Sequence, residues 1–225
     1  MSDKKPLIGV VGGSGDLGSG LAWRWAKAGY PIVIGSRMAD KGERVAAEMV
    51  EQLGGDVQIT GSDNAGAAAQ AEIVVLTVPY ENHRPMLEGI VSGLKGKILV
   101  DVTVPLRPPK VGRVQLPEAG CAAQEAQDFL GEDVRVVAAF QNVGAEHLKE
   151  DHKIDCDVLV SGDNVEAREQ VIALVEATGM KGWHAGPVAN SAAAEALTSI
   201  LIQINRRYKI AGSGIRITGT PGETA

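Results

Sequence analysis

The segment GVVGGSGDLGSGLAWRWAKAG, residues 9–29, carries seven glycines and constrains the fold more than any other part of the chain. Within it, Gly13, Gly15 and Gly18 form the pattern G-x-G-x-x-G, which follows an apolar run and opens a helical pattern. In such a unit the first glycine permits a tight turn, the second lets a diphosphate approach the backbone, and the third lets the helix pack on the strand. The segment therefore predicts dinucleotide binding at the amides of a helix start. A turn with a purely structural role is the alternative.

Short apolar runs alternate with helical patterns through most of the chain. The runs are continuous rather than alternating, which is typical of strands that are covered on both faces in a parallel sheet. Strands that alternate with helices predict an α/β fold, here a Rossmann-type doubly wound parallel sheet. The predicted strands are residues 7–11, 31–35, 57–60, 72–78, 97–102, 134–140 and 157–162.

The end of the second predicted strand, VIGSRMADK, indicates which dinucleotide is bound. A carboxylate at this place would accept hydrogen bonds from the adenosine ribose and would repel a 2'-phosphate. This chain has Ser36 and Arg37 there and Lys41 one helical turn later, whereas its first acid, Asp40, lies beyond the turn. Because a guanidinium binds phosphate oxygens in a forked geometry, the sequence favours NADP over NAD. Solvated surface charges are the alternative for Arg37 and Lys41.

Two strand ends with prolines, LTVPY and DVTVPL, mark the expected redox half of the cleft. Ligands of open α/β sheets lie outside the carboxyl ends of the strands, although prolines also end strands for ordinary structural reasons. The cleft lining near the nicotinamide is predicted to be Thr77, Val78, Pro79, Thr103, Val104 and Pro105. The predicted NADP site as a whole is Gly13, Ser14, Gly15, Asp16, Leu17, Gly18, Ser36, Arg37, Lys41, Thr77, Val78, Pro79, Val104 and Pro105.

The pattern changes at TVPLRPPKVG, where three prolines in ten residues predict an extended loop. Beyond it, a helix that Asn164 can cap and a long helix from Ser191 to about Tyr208 are predicted. We therefore expect an NADP-binding Rossmann domain over residues 1–145. A small C-terminal α/β lobe, residues 146–225, would contribute to the second-substrate cleft and to a dimer contact.

Composition narrows the partners and the location. The net charge of -6 and the pI near 5.3 argue against nucleic acid, which usually binds a basic face. The two cysteines form no CxxC pattern, so neither a metal site nor a disulfide framework is expected. No apolar segment approaches the roughly 20 residues of a membrane span, and the first apolar run is too short for a signal peptide. We expect a soluble, cytoplasmic protein.

Several motifs together resemble those of one family. They are GVVGGSGDLGSGLA, IVIGSR followed by Lys41, VVLTVPYENH, DVTVPL, SGDNVEAR, the helix NSAAAEALTSILIQINR and the closing GIRITG. Over nearly the whole chain the sequence resembles the NADPH-dependent deazaflavin-coenzyme reductases, the F420-dependent NADP oxidoreductases. The resemblance implies a homodimer that binds NADP and the deazaflavin coenzyme F420. It also implies direct hydride transfer between the nicotinamide and a deazaflavin ring stacked on it.

One segment, FQNVGAEHL, departs from the family pattern. The family commonly has a histidine beside the redox rings after the strand VVAA, whereas this chain has Gln141 there, and Gly144 replaces a proline. An amide can still hydrogen-bond a carbonyl or ring nitrogen, and Val143 can still press on the rings. Gln141 and Val143 are therefore the catalytic residues that the resemblance implies.

Further candidates depend on the acceptor. Hydride transfer between rings needs alignment and a dry cleft, whereas reduction of a simple carbonyl also needs a proton donor. His83 is the best-placed donor because it follows the TVPY segment, and an ordinary loop residue is the alternative. A helix cap is the alternative for Asn190 and Ser191, and stabilisation of the helix dipole is the alternative for Arg207. The second-substrate candidates are Asn142, Asn190, Ser191, Glu195 and Arg207.

The leading hypothesis is an NADP-dependent oxidoreductase whose second substrate is coenzyme F420. The alternatives are an NADPH-dependent reductase of a flavin, quinone-like compound, imine or carbonyl, and a non-catalytic module that senses NADPH. No GxSxG or HExxH motif occurs, so acyl transfer and metal-dependent hydrolysis are unsupported.

Overall fold

Eight strands form one sheet in the part of the chain that the structure describes. A computed structural model describes residues 4–219 and 221–222. The strands are β1 (Ile8–Val11), β2 (Ile32–Ser36), β3 (Ile59–Asp63), β4 (Ile73–Leu76), β5 (Ile98–Asp101), β6 (Arg135–Ala138), β7 (Asp157–Gly162) and β8 (Lys181–His184). Their order is β3-β2-β1-β4-β5-β6-β7-β8, and every pair is parallel except β6 and β7. The predicted Rossmann-type sheet is confirmed, and its seven predicted strands are present.

Helices follow most of the strands. They are α1 (Asp16–Lys27), α2 (Ala39–Leu53), α3 (Asn64–Gln70), α4 (His83–Ile90), α5 (Ala122–Leu130), α6 (Ala145–Leu148), α7 (Val165–Ala177) and α8 (Ser191–Tyr208). Asn164 caps α7 as predicted, because its side chain accepts a hydrogen bond from the Ala167 amide at 2.7 Å. The bounds predicted for α8 are also confirmed. Capping by Asn190 is wrong, since its side-chain amide donates instead to the Ala185 carbonyl at 2.7 Å.

The strand order reverses around β1, which lies between β2 and β4. Ile8 of β1 pairs with Ile32 on one side and with Ile73 on the other. The chain therefore continues from β1 to β2 and β3 on one side of β1, and then crosses over to β4, which pairs with the other side of β1. Such a reversal opens a crevice at the carboxyl ends of the central strands, which is where open α/β sheets bind ligands.

Apolar side chains cover both faces of the sheet, as the continuous apolar runs predict. On one face, Trp25 of α1 is fully buried and meets the Phe140 ring edge to face, with ring centroids 5.8 Å apart. The Trp25 indole nitrogen donates to the Leu174 carbonyl at 2.8 Å, which links α1 to α7. Trp23, two residues earlier on the same helix, is only partly buried.

A buried arginine anchors the irregular chain around α6 to helix α1. The Arg24 side chain is almost fully buried. Its guanidinium donates to the backbone carbonyls of His147, Leu148, Glu150, His152 and Thr178. Burial of a charge is tolerated here because its donors are hydrogen-bonded.

The residues after the predicted domain boundary at residue 145 continue the same sheet. Strand β7 pairs antiparallel with β6, with Val137 opposite Gly162, and β8 extends the edge beyond β7. The sequence analysis predicts neither β8 nor the reversed direction of β7. The division into residues 1–145 and 146–225 stays a prediction. None of the described helices has the length and apolar character that a bilayer crossing requires.

Candidate functional site

The three glycines of the turn after β1 differ in what surrounds them. A Cβ atom on Gly13 would lie 2.7 Å from the Val10 carbonyl oxygen, and one on Gly18 would lie 2.5 Å from Thr77 Oγ1. These two positions therefore exclude side chains by packing. A Cβ atom on Gly15 would meet nothing closer than the Gly12 oxygen at 3.4 Å, and Gly15 is exposed. The space in front of Gly15 is thus open for the close approach of a ligand.

The start of α1 has the properties of an anion site. Gly15 is the N-cap residue, and no side chain caps the helix there. The first amides of a helix carry partial positive charge and lack partners within the helix, so they suit a diphosphate. Asp16, in the first turn, forms an ion pair with Lys149, whose hydrogen bond and charge lower the pKa of Asp16. The lysine offsets the negative charge that Asp16 would present to a diphosphate.

The turn is held by two side chains from neighbouring strands. Ser14 Oγ lies 3.3 Å from Ser36 Oγ at the end of β2. Asn64 Oδ1, at the start of α3, accepts a hydrogen bond from the Gly12 amide at 3.0 Å. Asn64 was not predicted from the sequence, where its only local signal is its place just after Asp63, a residue type that favours helix starts. Arg37, directly after β2, and Lys41, in the first turn of α2, are both exposed.

One cleft of about 450 Å³ connects the start of α1 with the carboxyl ends of β4 and β5. Pro105 is buried and does not line it, whereas five of the six predicted redox-end residues do. The lining consists of Gly15, Asp16, Leu17, Thr77, Val78, Pro79, Tyr80, Glu81, Val102, Thr103, Val104, Leu106, Pro108 and Val111. The structure therefore brings the glycine turn and the two proline-flanked strand ends into one space. That a nicotinamide binds there stays a prediction.

Three buried polar atoms of the described residues have no hydrogen-bond partner, and all three follow β5 or β6. They are Thr103 Oγ1, Gln141 Oε1 and Asn142 Oδ1. An unpaired buried polar atom costs about 1–3 kcal/mol, and native proteins contain few of them. All three residues follow the carboxyl ends of strands, where ligands of this fold bind, but Thr103 alone lines the cleft, whereas Asn142 lines a separate cavity.

The backbone at the end of β6 is strained where it turns toward β5. Phe140 has φ of 71°, a left-handed conformation that is rare for a bulky residue. The turn directs Gln141 back across the sheet, where its Nε2 donates to the Asp101 carbonyl at 2.9 Å. Thr198 of α8 donates from Oγ1 to the Gln141 carbonyl at 2.7 Å. Strain of this kind persists where surrounding packing over-determines it, and it concentrates at functional sites.

His83 does not line the cleft. Its ring is buried, 2% exposed, and its Nε2 lies 2.6 Å from Asp101 Oδ2. Burial alone would lower the pKa of His83, but the charge and hydrogen bond of Asp101, with Glu125 and Glu195 farther off, raise this pKa above its ordinary value. This position does not suit the proton donor within the cleft that the sequence analysis considers. Nor does it suit the alternative of an ordinary loop residue.

Glu195 caps helix α5 rather than facing the cleft. Its carboxylate accepts hydrogen bonds from the Ala122 and Ala123 amides, at 2.7 and 3.2 Å, and from Ser191 Oγ at 2.8 Å. Burial raises the pKa of Glu195 to about 7, although these hydrogen bonds lower it. Ser191 is therefore bound to Glu195 and does not cap α8.

The remaining second-substrate candidates are dispersed. Asn190 and Arg207 are exposed at opposite ends of α8. Asn142 and Val143 line a second cavity of about 330 Å³, together with His147 and His152. The Asn142 side-chain amide donates to the Asp157 carbonyl at 2.8 Å. The five candidates are not brought together in this structure, and their roles stay predictions.

Comparisons with known proteins agree over nearly the full chain. The family described as NADP oxidoreductase, coenzyme F420-dependent, matches residues 7–105. The F420-dependent NADP reductase of Methanothermobacter thermautotrophicus is 40% identical over 222 residues, which cover 95% of each chain. That of Methanocaldococcus jannaschii is 40% identical over 219 residues, 94% of this chain and 97% of its own. The chain belongs to the family of F420-dependent NADP reductases.

A solved member of this fold supports the architecture. A crystal structure from Arthrobacter sp. FB24, provisionally assigned as an F420-dependent NADP reductase, superposes with a TM-score of 0.78 at 24% identity. The superposition covers 95% of this chain and all of the other. It shows that this chain and that one share the fold, including the part of this chain after residue 145.

Proposed function

We propose that this chain transfers a hydride between NADPH and the deazaflavin ring of coenzyme F420. The observation that carries the proposal is the single cleft that joins the open amides at Gly15 to the ends of β4 and β5. A dinucleotide with its diphosphate at Gly15 would place its nicotinamide at those strand ends. The full-length similarity to two reductases of this name supports the choice of the second substrate.

Bound NADPH supplies the hydride, which passes with one proton to the deazaflavin, so that the nicotinamide is oxidised and the deazaflavin reduced by two electrons. The chain itself needs no nucleophile and no metal for this reaction. What it contributes is binding, alignment of two rings and exclusion of water.

The glycine turn and the end of β2 would hold the adenosine half of NADP. The amides that follow Gly15 bind the diphosphate, and the exposed cations Arg37 and Lys41 bind the 2'-phosphate. Ser36 lies beside the turn through its contact with Ser14 and can add a hydroxyl donor. These residues select NADP over NAD and fix the diphosphate.

The ends of β4, β5 and β6 would hold the redox rings. Val78 and Val104 give the cleft apolar walls that exclude water. Thr103 lines the cleft, and its buried Oγ1 has no hydrogen-bond partner among the described residues. Gln141 Oε1 is an acceptor without a partner directly after β6, and it can take the place of the family's histidine as a polar contact to a ring.

The test is to mix the purified full chain with NADPH and coenzyme F420 and to follow the loss of the deazaflavin's visible absorbance. We expect the signal to fall with stoichiometric oxidation of NADPH, and to be much slower with NADH. Parallel reactions with a flavin, a quinone, a cyclic imine and a ketone test the alternative acceptors. Tight binding of NADPH with no loss of deazaflavin absorbance would contradict the proposal, and turnover with another acceptor alone would replace it.

We also propose that two copies associate through the second half of α8 and the residues after it. The support is a row of exposed large apolar side chains there, Ile200, Tyr208 and Ile210, at 49%, 70% and 46% exposure. Apolar patches of this kind mark interaction surfaces. Sedimentation equilibrium should give twice the mass of the chain, and a monomer at micromolar concentration would contradict this.

A cytoplasmic location is likewise our proposal. Its support is that Cys121 and Cys156 are both buried as free thiols, which suits a reducing compartment. Fractionation of the host cells with an antibody against the chain would test it.

A further inference from the structure

A buried ion pair connects two segments of the cleft wall, and the chemistry described above does not use it. His83 begins α4 just after the cleft residues that follow β4, and Asp101 ends β5 just before Val102, which lines the cleft. The two side chains are 2% and 1% exposed, and neither lines the cleft. Buried ion pairs are weak sources of stability, because apolar residues of similar volume often serve as well. Its position therefore invites another explanation.

Asp101 is the centre of three hydrogen bonds, two of which reach residues with an unpartnered buried atom. Its Oδ1 accepts from the Thr103 backbone amide at 2.9 Å, and its carbonyl oxygen accepts from Gln141 Nε2 at 2.9 Å. Its Oδ2 lies 2.6 Å from His83 Nε2. One residue thus fixes the backbone of Thr103, the side chain of Gln141 and the start of α4. Thr103 Oγ1 and Gln141 Oε1 are the two unpartnered atoms whose residues are hydrogen-bonded to Asp101.

We propose that His83 and Asp101 are positioning residues for hydride transfer, which hold Thr103 and Gln141 in place at the redox end of the cleft. The proposal rests on the proposed function. Neither residue touches the rings. Their effect would pass through Thr103, which lines the cleft, and Gln141, which is hydrogen-bonded to the end of β5, and a displacement of about 1 Å at such groups can lower a rate about 10²-fold.

The charge state of the pair should matter, because His83 is surrounded mainly by acids. The charges of Asp101, Glu125 and Glu195, with the hydrogen bond to Asp101, outweigh the effect of burial and raise the pKa of His83. As the pH rises past this pKa, the ring becomes neutral and Asp101 is left as a buried carboxylate without a charged partner. The titratable and charged groups around His83 are Tyr80 beside its ring, Arg84 on its own helix, Asp101 on β5, Glu125 and Asp128 on α5, and Glu195 on α8.

The test uses two conservative variants of the full chain. Asp101→Asn keeps an acceptor for the Thr103 amide but removes the charge, and His83→Gln keeps a donor near Asp101 but cannot titrate. Glu88→Gln is the matched control, because it removes a carboxylate from the exposed Arg84–Glu88 pair on the same helix α4. Each protein is examined for the dissociation constant of NADPH, the fluorescence of the bound nicotinamide, and the single-turnover rate of hydride transfer as a function of pH.

We expect Asp101→Asn to slow hydride transfer at least about 10-fold and to change the nicotinamide fluorescence, because ring alignment is lost. The dissociation constant should change less than about 3-fold, because the diphosphate and 2'-phosphate contacts lie at the other end of the cleft. In the wild type the rate should fall as the pH rises through the raised pKa of His83. His83→Gln should lose that pH dependence while keeping more of the rate than Asp101→Asn. Glu88→Gln should match the wild type throughout.

Two results would overturn the proposal: wild-type rate and fluorescence in Asp101→Asn, or a wild-type pH profile in His83→Gln. An equal loss of NADPH affinity and rate would mean a general structural role and would also overturn it. If the wild type fails to reduce coenzyme F420, the proposed function is wrong, and the nicotinamide fluorescence still decides whether the pair positions the cleft. If Asp101→Asn does not fold, His83→Gln decides alone.

Discussion

The hydroxyl oxygens of Ser14 and Ser36 lie 3.3 Å apart, so the glycine turn after β1 and the carboxyl end of β2 meet at one place. The next residue along the chain, Arg37, is exposed there. In folds of this type the adenosine ribose lies at the end of the second strand. We therefore expect the Arg37 guanidinium to lie beside the ribose end of the predicted NADP site.

Arg37→Asp should weaken NADPH binding at least about 10-fold and leave NADH binding within about 3-fold, because a carboxylate repels the 2'-phosphate and suits the plain ribose. Titration calorimetry with both nucleotides measures the two affinities. Lys95→Asp is the matched control. Lys95 is exposed just before β5, at the amino ends of the strands, whereas the predicted NADP site lies at their carboxyl ends. Equal weakening of NADPH and NADH would show that the phosphate site lies elsewhere.

Gly15→Ala should mainly lower the affinity for NADPH, whereas Gly18→Ala should mainly lower the stability of the fold. A methyl group on Gly15 meets only the Gly12 oxygen at 3.4 Å, so the free energy of unfolding should change by less than about 1 kcal/mol. The affinity for NADPH should fall, because the methyl group occupies the space through which the diphosphate approaches the backbone. A methyl group on Gly18 overlaps Thr77 Oγ1 at 2.5 Å and should cost about 1–3 kcal/mol through overpacking. Urea denaturation and nucleotide titration separate the two. A stable Gly18→Ala protein would contradict the packing described for α1.

Glu195→Gln should flatten the dependence of stability on pH. The folded-state pKa of Glu195 is about 7, above the ordinary value of 4.5, so the unfolded chain ionises first as the pH rises. Between pH 4.5 and 7 the wild-type free energy of unfolding should therefore fall relative to that of the variant, in total on the order of 3 kcal/mol. Above pH 7 the two free energies should depend on pH in the same way. Denaturation curves across this range measure the difference. The exposed Glu132→Gln serves as control, and identical curves for wild type and Glu195→Gln would refute the burial of a carboxylate at α5.

Thr103→Val should mainly slow hydride transfer, whereas Thr198→Val should mainly lower the stability of the fold. Thr103 Oγ1 has no partner, so its loss should change stability by less than about 1 kcal/mol but slow hydride transfer. Thr198 Oγ1 donates to the Gln141 carbonyl at 2.7 Å, so its loss should cost about 1 kcal/mol. Thermal denaturation and single-turnover kinetics provide the two measurements. A strongly destabilised Thr103→Val protein would mean that its hydroxyl has a structural partner.

The fold was predictable where local pattern decides it. Continuous apolar runs follow from burial on both faces, and an asparagine before a helical stripe follows from the needs of a helix start, as Asn164 confirms. Strand β8 was missed because KGWH has no apolar run. At the edge of the sheet it has one neighbouring strand, β7, and Trp183 binds it through a hydrogen bond to Asp157 at 2.9 Å. The antiparallel direction of β7 was also hidden, since a buried strand has the same composition in either direction.

The candidate site divides in the same way. The turn glycines and the strand-end segments could be located because each role belongs to a short local motif. The contacts of Asn64 with Gly12 and of His83 with Asp101 join residues 52 and 18 positions apart, which no local pattern encodes. The capping contact of Glu195 was missed for the same reason, because the two amides that it accepts from lie on α5, more than seventy residues earlier.

The five carbonyls that converge on Arg24 also determine when part of the molecule can assemble. The stretch from His147 to His152 has little regular structure and takes much of its order from that guanidinium. Its observed shape therefore requires helix α1, more than a hundred residues earlier in the chain, to be packed against it. The order of this late segment thus depends on one side chain of the helix that follows the glycine turn, and replacing Arg24 should loosen it.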